Sequence, residues 1–233
     1  MVIVINFKDY PESLGKNAVS LALVVDEVAG GFGDAAGGGQ IMIAVHPTDL
    51  RAVREALTGR AQGSRPSVVS QSLDFYTKKG AQTGRMTPNV LLETGVSGGI
   101  VNHAENPRTN EEILKILKDF KSADPKFIVI VCAESVARAV EICSVCKDVL
   151  PDYIAIEPPE LIGGDISVTT RPELIKEAVS QINCPVLVGA GVKSSEDLKK
   201  ALEFGAKGVL LASGIVKPNG KTPKEALEEL VKV

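Results

Sequence analysis

The sequence predicts a (β/α)8 barrel of the α/β class, a closed sheet of parallel strands surrounded by helices. Short β-branched runs alternate with longer amphipathic segments, a pattern typical of parallel strands joined by crossover helices. Most of these runs are apolar throughout, as expected for strands covered on both faces. Eight such units in 233 residues favour a closed barrel over an open doubly wound sheet, because closure removes both exposed edges.

The eight predicted strands leave room for a helix after almost every strand. They are Val2–Ile5, Ile41–Val45, Ser67–Gln71, Gly99–Asn102, Phe127–Cys132, Tyr153–Ile156, Val186–Val188 and Gly208–Leu211. The third unit differs, because residues 77–95 are rich in turn-forming residues and predict only a short helix around Asn89–Leu92. We interpret this segment as a long functional loop.

Size and composition predict one domain, residues 1–233, and exclude several partners. A hydrophobic content of 44% agrees with a globular core. The formal net charge of -3 argues against a large basic surface for nucleic acid or anionic lipid. Neither a secretory leader nor an apolar run of bilayer length is found, so we expect a cytoplasmic protein that binds neither nucleic acid nor membranes.

Three segments match S/T-x-x-E, the reciprocal cap of a helix N-terminus: Thr109 with Glu112, Thr170 with Glu173, and Thr222 with Glu225. In the last two, a proline lies near the predicted helix start, where its missing donor costs little.

Two further patterns could suggest ligand binding, and we interpret both structurally. Residues 29–40 are rich in glycine but fall between the first helix and the second strand, so we predict a flexible connection rather than a phosphate loop. Cys143 and Cys146 form a C-x-x-C within a helical pattern, which favours buried thiols over zinc or redox chemistry.

Reactive side chains in such a barrel belong at the carboxyl ends of strands. Asn6 and Lys8 follow the first predicted strand, His103 and Glu105 follow the fourth, and Glu157 follows the sixth. Lys8 could be an ordinary surface lysine, but at this position its ammonium can face the barrel mouth and stabilise developing negative charge.

Two turns of small residues follow the seventh and eighth strands, Gly189–Gly191 and Ala212–Gly214. Backbone N–H groups in such turns can approach phosphate oxygens. Either turn alone could be a plain connection, but a pair after these two strands matches the recurrent phosphate site of the barrel.

Glu157 opens a segment that has the composition of a hinged lid, with two prolines at one end and two glycines at the other. The carboxylate could be a simple salt-bridge partner. Closure of an apolar lid containing Leu161 and Ile162 would instead desolvate it and strengthen it as a base.

The two histidines differ in their surroundings. His46 precedes a proline, and no second ligand stands at metal spacing, so we predict a structural role and no metal site. The residues after His103 predict the first turn of a short helix, whose positive end disfavours a protonated imidazole. A neutral imidazole can donate one N–H to a carbonyl oxygen and act as an electrophile.

Five motifs in chain order, INFK, NHAEN, EPPELIGG, GAGV and LLASG, closely resemble triosephosphate isomerases, especially their compact archaeal branch. The match covers nearly the whole chain and implies a TIM barrel. It also implies interconversion of dihydroxyacetone phosphate and glyceraldehyde 3-phosphate through an enediolate, in glycolysis and gluconeogenesis. No cofactor is implied.

The resemblance also implies residue roles. Glu157 would move the proton, His103 would be the neutral electrophile, and Glu105 would organise the site around Lys8. Asn6 and Lys8 would bind the substrate. Ile162 and Gly163 would lie in the closing lid, and the backbone of Gly191, Ala212 and Ser213 would contact the phosphate.

The chain departs from the family at three positions: Ala104 replaces a serine, Asn106 replaces a basic residue and Arg85 replaces an acid. In the family the serine contacts the catalytic carboxylate, and the other two residues pair between subunits. The matching loop around Thr83 still implies a homo-oligomer, either a dimer or a tetramer.

Two other functions remain open from the sequence. The same barrel could catalyse epimerisation or lyase chemistry on a larger sugar phosphate, which predicts a roomier mouth and often a metal or a Schiff-base lysine. Alternatively, the departures at Ala104, Asn106 and Arg85 could mark a silent sensor of phosphorylated metabolites.

Overall fold

The computed structural model describes residues 1–35, 39–59, 65–78, 80–164 and 166–232. These residues form a closed barrel of eight parallel strands in sequential order. The strands are β1 Val2–Asn6, β2 Gln40–Val45, β3 Ser67–Ser70, β4 Gly98–Val101, β5 Ile128–Ala133, β6 Tyr153–Ile156, β7 Val186–Gly189 and β8 Gly208–Leu211. The predicted barrel is confirmed, and each strand lies within one residue of its predicted bounds.

Helices connect successive strands around the barrel. They are α1 Lys16–Ala35, α2 Leu50–Leu57, α3 Pro88–Glu93, α4 Asn110–Ala123, α5 Val136–Val145, α6 Pro172–Gln181, α7 Ser195–Glu203, α8 Ser213–Val216 and α9 Pro223–Leu230. Short 3-10 helices lie at Pro11–Ser13, Pro159–Leu161 and Val168–Thr170. Helix α3 confirms the short helix predicted in the third unit. No helix of the described ranges combines the length and hydrophobicity needed to cross a membrane.

Strand residues alternate between two apolar layers. In β1, Val4 points into the barrel interior with Met42 and Leu210, whereas Ile3 and Ile5 pack in the layer shared with the surrounding helices. Both layers exclude water, which is why the strands lack the polar alternation of a half-exposed sheet.

Glycine permits the closest approaches between strands. A Cβ atom added at Gly208 would lie 1.7 Å from the carbonyl oxygen of Val2, where β8 meets β1 and closes the barrel. A Cβ atom at Gly98 would lie 2.4 Å from the carbonyl oxygen of Ile128. Any side chain at either position would force neighbouring strands apart.

Two of the three predicted capping boxes are confirmed. Thr109 and Thr222 each cap a helix reciprocally with the glutamate three residues later. The predicted box at Thr170 is wrong, since Thr170 ends a 3-10 helix and its hydroxyl donates to the carbonyl of Ser167 instead. A further box at Ser194 uses Asp197, which the S/T-x-x-E pattern does not include.

The prediction that residues 29–40 form a connection is wrong for much of that segment, because α1 continues to Ala35. Ala29 and Phe32 are buried one helical turn apart, and this packing outweighs the low helix propensity of the glycines. A Cβ atom at Gly39 would lie 2.4 Å from the Phe32 ring. Residues 36–38 lie outside the described ranges.

The C-x-x-C motif lies at the end of α5, as its periodicity predicted. Cys143 is the third residue from the helix end, and Cys146 is the C-cap. Both side chains are buried and carry free thiols. Within the described ranges no cluster of His, Cys, Asp and Glu could hold a metal ion.

Replacing Gly208 by alanine should destabilise the protein by about 1–3 kcal/mol or more, because the new methyl group overlaps the Val2 carbonyl at the closing seam. The matched control is Gly30→Ala in α1, where an added Cβ atom meets nothing within 4 Å. That control should stabilise the protein by about 0.5–1 kcal/mol, because alanine is the better helix former. Urea unfolding midpoints measure both effects, and equal midpoints for the two variants would contradict the assignment.

Candidate active site

The predicted site residues meet at the carboxyl ends of the strands. Asn6 ends β1, His103 lies two residues after β4, and Glu157 directly follows β6. They border two adjoining cavities that share Lys8 and Glu105. The first, of about 210 Å³, is lined by Lys8, Glu105, Glu157, Ile162, Gly163, Gly191, Ala212 and Ser213. The second, of about 250 Å³, is lined by Asn6, Lys8, His46, His103 and Glu105.

Lys8 is held in an unusual backbone conformation. Its φ is 55°, a left-handed value that costs energy in a residue with a side chain. Its backbone N–H donates to Oδ1 of Asn6 (3.0 Å), and its carbonyl accepts from Nε2 of Gln71 (3.0 Å). The Lys8 ammonium then pairs with Oε1 of Glu105 at 2.6 Å, which places a fixed positive charge between the two cavities.

His103 is a buried imidazole in a defined tautomer. The backbone N–H of Glu105 donates to Nδ1 (3.2 Å), which assigns the ring proton of the neutral form to Nε2. Burial, and to a lesser extent the Lys8 charge, lower the pKa of His103 to about 4, against the opposing effect of the Glu105 charge. The imidazole is therefore uncharged at neutral pH.

The physical cause of this neutrality differs from the prediction. Residues 104–106 form a single turn, closed by the N–H of Asn106 on the carbonyl of His103 (2.7 Å). The predicted helix start after His103 is wrong, because α4 begins only at Asn110. Desolvation, rather than a helix dipole, keeps the imidazole uncharged.

Glu157 and His103 face each other across the site. Oε2 of Glu157 lies 3.6 Å from Nε2 of His103, and neither atom has a hydrogen-bond partner within the described part of the chain. Burial raises the pKa of Glu157 to about 7, against the opposing effects of a hydrogen bond to Cys132 and of the Lys8 charge. Buried polar atoms are normally hydrogen-bonded, whereas these two neighbouring atoms are unsatisfied.

The turn after β7 makes room for Glu157 and for the segment that follows it. A Cβ atom at Gly189 would lie 2.6 Å from Cγ of Glu157, and one at Gly191 would lie 2.1 Å from the carbonyl oxygen of Ile166. Ala190 between them has a φ of 76°. These glycines therefore have a packing role in addition to the phosphate contacts predicted for this turn.

The segment predicted as a lid, residues 157–164, contains the 3-10 helix Pro159–Leu161. Leu161 is already buried in the core, whereas Ile162 is partly exposed and lines the first cavity. Gly163 follows with a φ of 74°. Of the two apolar residues assigned to the lid, only Ile162 faces the cavity.

Sequence reasoning missed one residue of the site and gave another no role. Cys132 lies beside Glu157 and lowers the pKa of that carboxyl group, while burial, and next the Glu157 charge, raise the pKa of the Cys132 thiol well above the usual value. Its position as the last residue of the fifth predicted strand could have revealed it.

Asn102 holds the loop that carries His103. It has a φ of 62°, donates to the carbonyl of Cys132 (2.8 Å) and accepts from the N–H of Arg108 (2.8 Å).

Two of the three departures lie on an exposed turn, and the third lies on the long loop. Ala104 and Asn106 are exposed. The Arg85 guanidinium stacks on the Phe75 ring, 5.0 Å from its centroid. The positive charge of Arg85 thus has an aromatic partner within its own loop.

Comparisons with known proteins agree with this geometry. The family model described as triosephosphate isomerase matches residues 1–231. A triosephosphate isomerase of Methanothermus fervidus is 38% identical over 99% of this chain and 97% of its own length. Those of Cenarchaeum symbiosum and Methanocaldococcus jannaschii are 37% and 36% identical, over 98% and 100% of this chain and 96% and 99% of their own lengths. The chain therefore belongs to the triosephosphate isomerase family and is an isomerase.

Proposed function

We propose that the protein interconverts dihydroxyacetone phosphate and glyceraldehyde 3-phosphate, with Glu157 as the base and His103 as the electrophile. The observation that carries this proposal is the pair of unpartnered atoms, Oε2 of Glu157 and Nε2 of His103, which lie 3.6 Å apart. The two adjoining cavities, of about 210 and 250 Å³, leave space for a small substrate beside both atoms.

Glu157 removes a proton from one carbon of the substrate and returns it to the neighbouring carbon. Its pKa of about 7 makes it a stronger base than an exposed glutamate, and it remains largely ionised just above neutral pH. Desolvation supplies this basicity, so water must stay excluded while the proton moves.

His103 and Lys8 stabilise the negative charge that develops on the substrate oxygens. Nε2–H of the neutral imidazole donates a hydrogen bond to a carbonyl or enediolate oxygen. The Lys8 ammonium adds a positive charge whose position Glu105 fixes at 2.6 Å. Because these groups are held in place before the reaction, little reorganisation is needed as charge develops.

The phosphate group binds to backbone N–H groups at the far end of the first cavity. Gly191, Ala212, Ser213 and Gly163 line that end, and the first N–H groups of α8 have no acceptor within their own helix. Phosphate binding there holds the reactive carbons near Glu157 and supplies binding energy remote from the reaction.

The purified protein should isomerise glyceraldehyde 3-phosphate in a coupled assay, and Glu157→Gln should reduce kcat about 10²- to 10⁴-fold, because the amide cannot accept the proton. The matched control is Glu141→Gln, which alters an exposed carboxylate on α5 and should retain full activity. Absence of turnover by the unmodified protein would refute the proposed reaction. A fully active Glu157→Gln variant would exclude Glu157 as the base.

The raised pKa of Glu157 predicts a stability difference that depends on pH. The pKa of this residue rises from 4.5 to about 7 on folding, so the folded state binds a proton more tightly and its stability falls as pH rises from about 4.5 to about 7. Glu157→Gln removes this penalty and should stabilise the protein at pH 8 by on the order of 3 kcal/mol, but hardly at all at pH 4.5. Urea unfolding at both values measures this. A difference that does not change with pH would contradict the raised pKa.

We also propose that the chain forms a homo-oligomer through the loop that contains Thr83. Of the described residues of this loop, 77, 78, 80, 81, 83 and 84 are exposed and Gln82 is partly buried. The neighbouring apolar residue Val90 is 43% exposed. The proposal rests on the match of this loop to the one that reaches the neighbouring subunit in the family, and on its exposure here. A dimer and a tetramer both satisfy this arrangement.

Light scattering should therefore give a mass of at least twice 24.5 kDa. Thr83→Arg should lower it towards the monomer mass, because an added charge at a buried contact costs binding energy. The control is Asn183→Arg, which adds a charge at an exposed position between α6 and β7, on the opposite side of the barrel. This variant should leave the mass unchanged. A monomeric unmodified protein, or an unaffected Thr83→Arg variant, would overturn this assignment.

A further inference from the structure

Two cysteines that are distant in the sequence meet outside the active site. Cys143 lies near the end of α5, and Cys184 lies between α6 and β7. Their Sγ atoms are 3.8 Å apart, although 41 positions separate them along the chain. The thiols are free.

The surroundings of this pair distinguish it from the other thiols. Cys184 is partly exposed and Cys143 is 8% exposed, whereas Cys132 and Cys146 are 2% and 0% exposed. A hydrogen bond from Cys184 lowers the pKa of the Cys143 thiol. Burial raises the pKa of Cys146 to about 11, and burial also raises the pKa of Cys132. A thiolate forms more readily at Cys143 than at Cys146 or Cys132, and the thiolate is the reactive form.

We propose that Cys143 and Cys184 are an oxidation site at which hydrogen peroxide produces an intramolecular disulfide. The Sγ atoms need to approach by less than 2 Å to reach the S–S bond length of about 2.05 Å. Cys146, although close in sequence to Cys143, is the fully buried C-cap of α5 and is not the partner in this bond.

The reaction has two steps and needs peroxide as its only oxidant. The Cys143 thiolate attacks one peroxide oxygen, so that an S–O bond forms, the O–O bond breaks and the departing hydroxide takes up a proton to become water. The Cys184 sulfur then attacks Sγ of Cys143. The S–S bond forms, the S–O bond breaks, and the departing hydroxide takes the Cys184 proton. Two thiols and one peroxide thus give one disulfide and two waters, and sulfur loses two electrons.

The position of the pair predicts an effect on stability. Cys184 precedes β7, and the end of α5 leads towards β6, so both cysteines lie at the amino-terminal side of the barrel, opposite Glu157 and His103. A disulfide between them would join α5 to the segment before β7 and close a long loop of the unfolded chain. We expect a higher melting temperature, and this inference does not depend on the proposed reaction.

The experiment treats the reduced full-length protein with hydrogen peroxide, unfolds it and alkylates the remaining thiols. Intact mass should show two alkyl groups on the oxidised protein and four on the reduced protein. Tryptic digestion should join peptide 139–147 to peptide 177–193 with the loss of two hydrogens. Oxidation should also raise the melting temperature by about 5–10 °C, and a thiol reductant should reverse the change.

Variants identify the sulfur atoms and provide the control. Peptide 139–147 contains both Cys143 and Cys146, so Cys146→Ser should still form the joined peptides. Cys143→Ser and Cys184→Ser should not form them, and Cys184→Ala serves if the serine variant does not fold. Four alkyl groups after oxidation, a bond to Cys146, a bond between two chains, or only sulfinic acid at Cys143 in the unmodified protein would each overturn the proposal.

Discussion

The central constraint on this structure is a carboxyl group buried at the mouth of the barrel. Glu157 is 6% exposed, and within the described ranges no lysine or arginine forms a salt bridge with it; the Lys8 ammonium pairs with Glu105. Burial raises its pKa to about 7. The fold thus keeps a destabilised group at the proposed site of proton transfer, where stability would be given up for the proposed activity.

The surrounding backbone is shaped to hold this group and its partner. The three residues other than glycine that have left-handed φ angles in the described ranges, Lys8, Asn102 and Ala190, follow β1, β4 and β7. Each costs on the order of 1–3 kcal/mol and is held by neighbouring contacts. Gly189 leaves the space that the Glu157 side chain fills. Strain and close packing therefore concentrate at the carboxyl ends of the strands.

The opposite side of the barrel has a different character. There, strand closure depends on Gly208 against Val2, and the Cys143 and Cys184 thiols lie close together. These features act on the stability of the scaffold, whereas reactive groups collect at the other end. This separation is general in such barrels, because the loops after the strands can change without disturbing the closed sheet.

The sequence by itself determined the strand order and the positions of the reactive residues, because apolar runs and strand ends are local patterns. It therefore predicted all eight strands within one residue and placed Lys8, His103 and Glu157 at strand ends. It failed where a distant contact overrides a local pattern, as when the burial of Phe32 extends α1 through a glycine-rich segment.

Only the tertiary structure decided the electrostatic state of the site. The pKa of His103 is lowered by burial and by the charge of Lys8, which is distant in the chain but close in space. The contact of Cys132 with Glu157 and that of Cys143 with Cys184 likewise join different strands and helices. Desolvation and charge interaction depend on distance in space, and the folded barrel alone sets those distances.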